Sequence, residues 1–387
     1  MTDALATETL SASMALPRGR PPYRADHVGS LLRPQKLLDA RDQRKAGQIS
    51  AEAFKAIEDE AVREIINIQQ DCGLEGVTDG ELRRNSWHMD FLYQLGGVQK
   101  VQSDLKVQFH NHGGDIEFTP SALRVAGKLS LDKPIFLDDF AFVAANARAT
   151  PKLTIPSPSM LHYRGGNQCI DPAAYTDIEA FWRDLSKAYA DEVEHLYGAG
   201  CRYLQLDDTS LAYLNDPAQH EHVRAQGGDP DTQHLVYIKA FNAAVSGRPA
   251  DMAVCTHLCR GNFRSSWAAS GGYDHVADAL FNQMDVDGFF LEYDDDRSGG
   301  FEPLRFVPKG KAVVLGLISS KHGALEDKDM IKRRLDEASR FIDLDQVCIS
   351  PQCGFSSTCE GNDLTVEEQN AKLRLTVQIA YEVWGGL

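Results

Sequence analysis

The 387-residue sequence contains no apolar run approaching the about 20 residues that cross a bilayer. Its N-terminus lacks the basic stretch and apolar core of a secretory signal, so a cytoplasmic protein with no membrane partner is expected. No stripe of Lys and Arg interleaved with aromatics occurs, and a formal net charge of −16 would repel a phosphate backbone, which argues against nucleic acid as a partner. P-loop and GxGxxG spacings are missing too, so the glycines of "HVGS" promise only a close backbone approach to a small ligand. What remains is ordinary for a folded enzyme: 43% hydrophobic and 25% charged residues.

Predicted strands and helices alternate after a small, polar tail at residues 1–20. Residues 23–30 and 75–81 read as extended, and between them 51–73 place Phe54, Ile57, Ala61, Ile65 and Ile68 at helical spacing before a Gly73 stop. Residues 96–150 break the rhythm and read as a β-rich insertion after the second strand. Six further strands follow at 151–159, 202–208, 252–259, 287–294, 311–319 and 346–354, with a long helix at 174–200. Eight strands, most separated by helices, predict an α/β fold of the (β/α)8 TIM-barrel class, one catalytic domain over 21–387. Ser30, Glu81, Ser157, Asp207, His257, Cys259, Glu292, Ser319 and Cys353 fall at strand C-terminal ends, the active face of such a barrel. A doubly wound open sheet would gather its polar residues at one switch point instead.

Within "THLCRGNF", His257 and Cys259 lie two apart on a strand and share a face, as imidazole and thiolate ligands of zinc would. Glu292 and Cys353 complete a four-ligand site from neighbouring strand ends. Two thiolates point toward thiol chemistry, because a coordinated thiol is deprotonated while a free one near pKa ~8.5 is not. Spacing leaves Cys255 as an equal candidate, with Cys348 and Cys359 as further rivals among the eight cysteines. Glu81 and Asp207, with Asp208, bring carboxylates to the same rim, where they suit an ammonium group.

These residues carry a resemblance to the catalytic barrel of cobalamin-independent methionine synthases. "DHVGSLLRP" resembles that family's opening "IGS" segment, "DGELRRN" its "GE.ERN", "LQLDD" its "QIDE", "HLCRGNF" its "H-x-C-x-x-N-F" and "PQCG" its "PDCG". The resemblance spans residue 23 to the end. It implies Zn2+ held by His257, Cys259, Glu292 and Cys353, with Cys255 left out. It implies homocysteine as the thiol, its carboxylate at Val28 and Ser30 and its amino group at Glu81 and Asp207. Methyl transfer would then yield methionine.

The chain has one barrel where full-length members have two, and "GLISSK" stands where the family has a histidine in "D-I-H-S-P". Ser319 takes that position and His322 is close by, so these two are the proton-donor candidates. The methyl donor is accordingly methyltetrahydrofolate or another compound, such as a methylated corrinoid protein or a methylsulfonium. Two other readings stand beside this one. An epoxyalkane:coenzyme M transferase would need Arg83, Arg84 or Arg260 to meet a sulfonate. A non-catalytic zinc- or thiol-binding protein would need a closed four-ligand site. The oligomeric state is open between a monomer and a homo-oligomer.

Overall fold

In the computed structural model the described residues are 19–102, 106–111, 113–119 and 121–386, so all but the last two residues of the expected tail lie outside them. The strands are β1 (Gly76–Val77), β2 (Gly96–Val101), β3 (Val107–Asn111), β4 (Gly114–Phe118), β5 (Ala122–Ser130), β6 (Thr150–Pro151), β7 (Leu153–Pro156), β8 (Tyr203–Asp208), β9 (Ala253–Leu258), β10 (Gly288–Glu292), β11 (Ala312–Ile318) and β12 (Val347–Pro351). Strands β7 to β12 form one parallel sheet in chain order. Each is buried along nearly its whole length, as the apolar runs "AVVLGLI" and "GFFLE" demand of strands covered on both faces.

The circle closes through shorter pieces. β1 pairs in parallel with β6, which only Lys152 separates from β7. Residues 24–28 fill the remaining position: Ala25 bridges Ile349, Asp26 N donates to Ile349 O (3.0 Å) and Ile349 N donates to Arg24 O (2.9 Å). Side chains replace a ladder between this segment and β1, with Thr78 Oγ1 donating to Gly29 O (2.7 Å) and a His27 Nε2 contact to Gly76 O (3.2 Å). The result is a TIM-barrel-like fold of eight strand positions. The predicted strand 75–81 is a ladder only at Gly76–Val77, because a turn begins directly after it.

Outside the barrel, the helix Ala51–Asp71 starts at Ser50, whose side chain accepts from Ala53 N. Its buried face is Ala61, Val62, Ile65, Ile66 and Gln69, so the stripe turns away from Phe54 and Ile57 toward its C-terminal half. Gln69 could not be read from hydrophobic spacing: its Nε2 donates to Thr78 O (2.8 Å) and its Oε1 accepts from Thr78 N (2.9 Å), which steadies the turn after β1. Between β1 and β6 the chain forms two antiparallel pairs, β2 with β5 and β3 with β4, followed by the helix Leu137–Asn146.

The barrel interior below the mouth holds Tyr23, Val28, Tyr203, Cys255, Phe290, Val314 and Cys348. A buried ion pair crosses it. Lys152 Nζ donates to Asp26 Oδ1 (3.1 Å) and His27 O (2.5 Å), and Tyr203 donates to Asp26 Oδ2 (2.6 Å). Three strand positions meet at this one carboxylate. Lys152→Met leaves that carboxylate buried without its cation and should cost about 3–5 kcal/mol in urea denaturation, while adding Asp26→Asn should restore part of the loss.

A second buried carboxylate ties the outer layer. Glu192, on the helix Ile178–Gly198, accepts from Ile135 N at 2.9 and 3.0 Å, and burial pushes its pKa up to about 8. The folded protein therefore keeps a proton that the unfolded chain releases near pH ~4.3, so stability falls as pH rises from there toward about 8. Glu192→Gln should flatten the decline of Tm between about pH 5 and pH 8 in scanning calorimetry; an unchanged slope would contradict this linkage.

Candidate metal centre and cavity

His257 is the penultimate residue of β9 and Cys259 follows its end, β10 ends with Glu292, and Cys353 follows β12. Parallel register aligns Asp207 with His257 and His257 with Phe290, which brings these strand ends to one level. One ligand atom from each of His257, Cys259, Glu292 and Cys353 lies within 4.8 Å of the others, and all four residues are buried. The two sulfurs are 3.4 Å apart. Two thiolates on a tetrahedral ion at ~2.3 Å would sit about 3.8 Å apart, so a small adjustment seats the ion.

The surroundings orient each ligand. His257 Nδ1 lies 3.3 Å from Phe290 O, and its Nε2 is buried with no hydrogen-bond partner, as an imidazole aimed at a cation would be. Gly261 N donates to Cys259 Sγ (3.3 Å). Glu292 accepts from Arg260 N (3.2 Å) and Gln352 Nε2 (3.3 Å), while Arg260 and Arg297 guanidinium nitrogens each stand 3.8 Å from Oε2. The hydrogen bond from Cys259, opposed by burial and helped by His257, holds the Cys353 thiol well below the usual range, favouring the thiolate that binds metal. The four residues fit a tetrahedral cation. Cys255 and Cys348 do not join them, being packed in the apolar barrel interior, and Cys359 sits at the cavity wall.

A cavity of about 510 Å3 opens beside this cluster. His257, Cys259 and Cys353 line it, as do Val28, Ser30, Glu81 and Asp207, but Glu292 lies behind. Glu81 has φ +56°, a left-handed backbone uncommon outside glycine, and follows Gly80 at φ +67°. That turn aims its carboxylate at the barrel mouth. Thr154 donates to Glu81 Oε1 (2.8 Å), Arg84 stands 3.7 Å off, and Oε2 is buried without a partner. Burial raises the Glu81 pKa, and it pushes Asp207 up to about 7, with His257 acting against the rise and Glu81 adding to it. Two buried carboxylates with unspent acceptors favour a cationic guest.

Sequence spacing did not reveal the residues that assemble this rim. Arg33 donates to Ser356 O, Ser356 Oγ, Thr358 O, Glu81 O and Arg84 O, fastening the segments after three strand positions together. Nor did it mark Phe109, Phe118 and Tyr93, which bring the region of β2–β5 onto the cavity. Two expected residues are not brought to it. Ser319 donates to Asp294 Oδ2 (2.9 Å), His322 is exposed, and neither lines the cavity.

A barrel with a buried Cys2HisGlu cluster at its C-terminal face defines the class, and sequence comparison agrees. The family described as cobalamin-independent synthase, catalytic domain, matches residues 147–382, and the chain belongs to this methionine synthase-like methyltransferase family. The chain is 49% identical to the uncharacterized protein YxjH of Bacillus subtilis, covering 94% of this chain and 95% of that one. It is 27% identical to a methionine synthase of Pyrococcus abyssi over 85% of each chain. A Listeria monocytogenes structure assigned as a vitamin-B12 independent methionine synthase superposes with TM-score 0.74 at 36% identity, covering 95% of this chain and 99% of that one.

Cys353→Ala removes one of two thiolates. Metal content measured by atomic emission should fall from about one ion per chain to a small fraction; full retention would show that the four residues are not the binding set.

Proposed function

We propose that the protein is a zinc-dependent methyltransferase that methylates the thiol of homocysteine to give methionine, with residues 21–387 acting as one catalytic unit. The observation that carries this reading is one cavity bordered by both the thiolate pair and the two buried carboxylates. An amino-acid thiol carries the two complementary groups, a sulfur for the first and an ammonium for the second. Membership of the family supports the reaction class.

His257, Cys259, Glu292 and Cys353 would hold the zinc ion, which supplies a Lewis acid that keeps an incoming thiol ionised. Glu81 and Asp207 bind the ammonium group and stay ionised once that charge offsets their burial. Ser30 Oγ and the backbone at Val28 meet the substrate carboxylate. With both ends fixed, the sulfur points along the cavity toward the second substrate. A sulfur lone pair forms the S–CH3 bond as the methyl group's bond to the donor atom breaks; the pair leaves with that atom, which takes up a proton. Ser319 and His322 have no part in this scheme, since neither borders the cavity.

Coenzyme M is the weaker thiol candidate. Arg83 is engaged by Glu58 and Asp59, Arg84 by Thr154, and Arg260 by Gly271 and Tyr273, so none of the three is free for a sulfonate. A purely structural metal site would be closed, whereas three of the four proposed ligands face the cavity.

Cobalt-substituted protein provides the test. Homocysteine should produce a new thiolate-to-metal absorption band and coenzyme M should not, and Asp207→Asn should weaken the homocysteine response about tenfold or more with metal content unchanged. A response to coenzyme M alone, or an Asp207→Asn variant with wild-type homocysteine affinity, would overturn the assignment.

A further inference from the structure

Beneath the cavity lies a side chain that belongs neither to the metal cluster nor to the groups that meet the substrate. Gln205 stands on β8 between Tyr203 and Asp207, two residues from each, so the three side chains share the face turned into the barrel. It is completely buried and does not line the cavity. Its Nε2 donates twice, to Asp207 Oδ1 (2.7 Å) on its own strand and to Val28 O (2.7 Å) at the far side of the barrel. β8 is the fourth strand position and residues 24–28 are the first, so no ladder joins them. One nitrogen makes the connection that the main chain cannot.

The amide can sit only one way round. Turned over, its oxygen would face the Val28 carbonyl and the Asp207 carboxylate, two groups that only accept. Its own Oε1 is buried without a partner, a cost tolerated because both donor positions are in use. The segment after Val28 is fixed in the same manner: Gly29 O accepts from Thr78 Oγ1 (2.7 Å) and Ser30 O accepts from Phe355 N (2.9 Å). Three consecutive carbonyls are thereby engaged, while among the described residues no acceptor meets Val28 N, Gly29 N or Ser30 N. Successive free N–H groups make a concavity for an anion. Asp207 lines the cavity, and Gln205 occupies its Oδ1 and leaves Oδ2.

We infer that Gln205 is a positioning residue for an α-amino-acid thiol: by holding Val28 O and Asp207 Oδ1 with one nitrogen, it fixes the spacing between the carboxylate-binding backbone and the ammonium-binding carboxylate. The two ends of the substrate then bind as a unit, and guests with both groups on one carbon are selected over thiols that carry only one. This deepens the homocysteine reading and rests on it. Gln205 acts wholly through Val28 and Asp207.

Four thiols that differ only in these groups provide the test: homocysteine, 4-mercaptobutanoate without the ammonium, 3-mercaptopropylamine without the carboxylate, and 1-propanethiol without either. Their affinities are read from the thiolate-to-metal band of the cobalt-substituted full chain. In the wild-type protein homocysteine should bind about tenfold or more tighter than the two single-group gains over 1-propanethiol predict when multiplied. Gln205→Met, similar in shape but without a donor, should reduce that excess to within about threefold and weaken homocysteine about tenfold, with 1-propanethiol affinity and metal content within about twofold of wild type. Gln205→Glu, which puts acceptors where the donors were, should lose the excess as well. An equal loss for all four thiols in Gln205→Met would show a merely structural role and overturn the inference. An excess that survives in either variant would overturn it too, and so would independent contributions of the two groups in the wild-type protein, even if neither variant folds. Absence of a band with homocysteine in the wild-type protein would instead defeat the homocysteine reading itself, and this inference with it.

Discussion

The strand register of the parallel barrel is the constraint on which the rest depends. In a strand, a shift of one residue turns every side chain to the other face. Asp207 aligned with His257, and His257 with Phe290, set a buried carboxylate, an imidazole and the carbonyl that the imidazole faces at one height. Glu292 aligned with Gly316 then leaves room for Gln352 to reach the carboxylate from the next strand end. A Cβ at Gly316 would come within 2.5 Å of Gln352 Cα, so this close approach admits no side chain. Below the mouth, the Asp26–Lys152 pair secures the positions where the ladder is interrupted. A fully buried ion pair thus lies where main-chain pairing is thinnest.

Charge at the mouth is divided rather than neutralised. Glu292 is surrounded by Arg260, Arg297 and Lys321, which hold its carboxylate in place and offset its negative charge beside the two cysteines. Glu81 and Asp207 receive less: one arginine at 3.7 Å and hydrogen bonds from Thr154 and Gln205. Glu81 Oε2 is left buried without a partner. On another wall of the cavity, Arg164 Nη1 has no hydrogen-bond partner.

The region between β1 and β6 gives the cavity its aromatic side. β3 and β4 pair so that Phe109 lies opposite Ile116, with Phe118 nearby, and these rings pack on Phe263, four residues beyond Cys259. His110 exchanges backbone hydrogen bonds with Trp267 (2.7 and 2.9 Å), joining this region to the loop that follows β9. The His257–Cys259–Glu292–Cys353 cluster and the aromatic wall are therefore parts of one connected structure. Motion of the β3–β4 hairpin would change the cavity beside the two cysteines.

Much of the fold was legible because its signals are local. Apolar runs bounded by turns marked the strands, and helical spacing marked the helices at 51–73 and 174–200 to within a few residues of Ala51–Asp71 and Ile178–Gly198. His257 and Cys259 were legible for the same reason, since period two in a strand is a local rule. Spacing could not separate Cys259 from Cys255, because both satisfy that rule. Height in the barrel separates them: Cys255 lies among Tyr23, Tyr203 and Phe290, whereas Cys259 lies beyond the strand end, 3.4 Å from Cys353. Proximity in sequence also misplaced attention on Ser319 and His322, which the turn after β11 directs to Asp294 and to the surface. Arg33, Gln69 and Arg164 carried no sequence signal, for their roles consist of partners, or missing partners, contributed by distant segments. By itself, then, the sequence determined the alternation of elements and the chemistry available at each strand end. Only the tertiary structure decided which of those groups share a cavity and which buried charges stay unpaired, because both depend on where non-local segments meet.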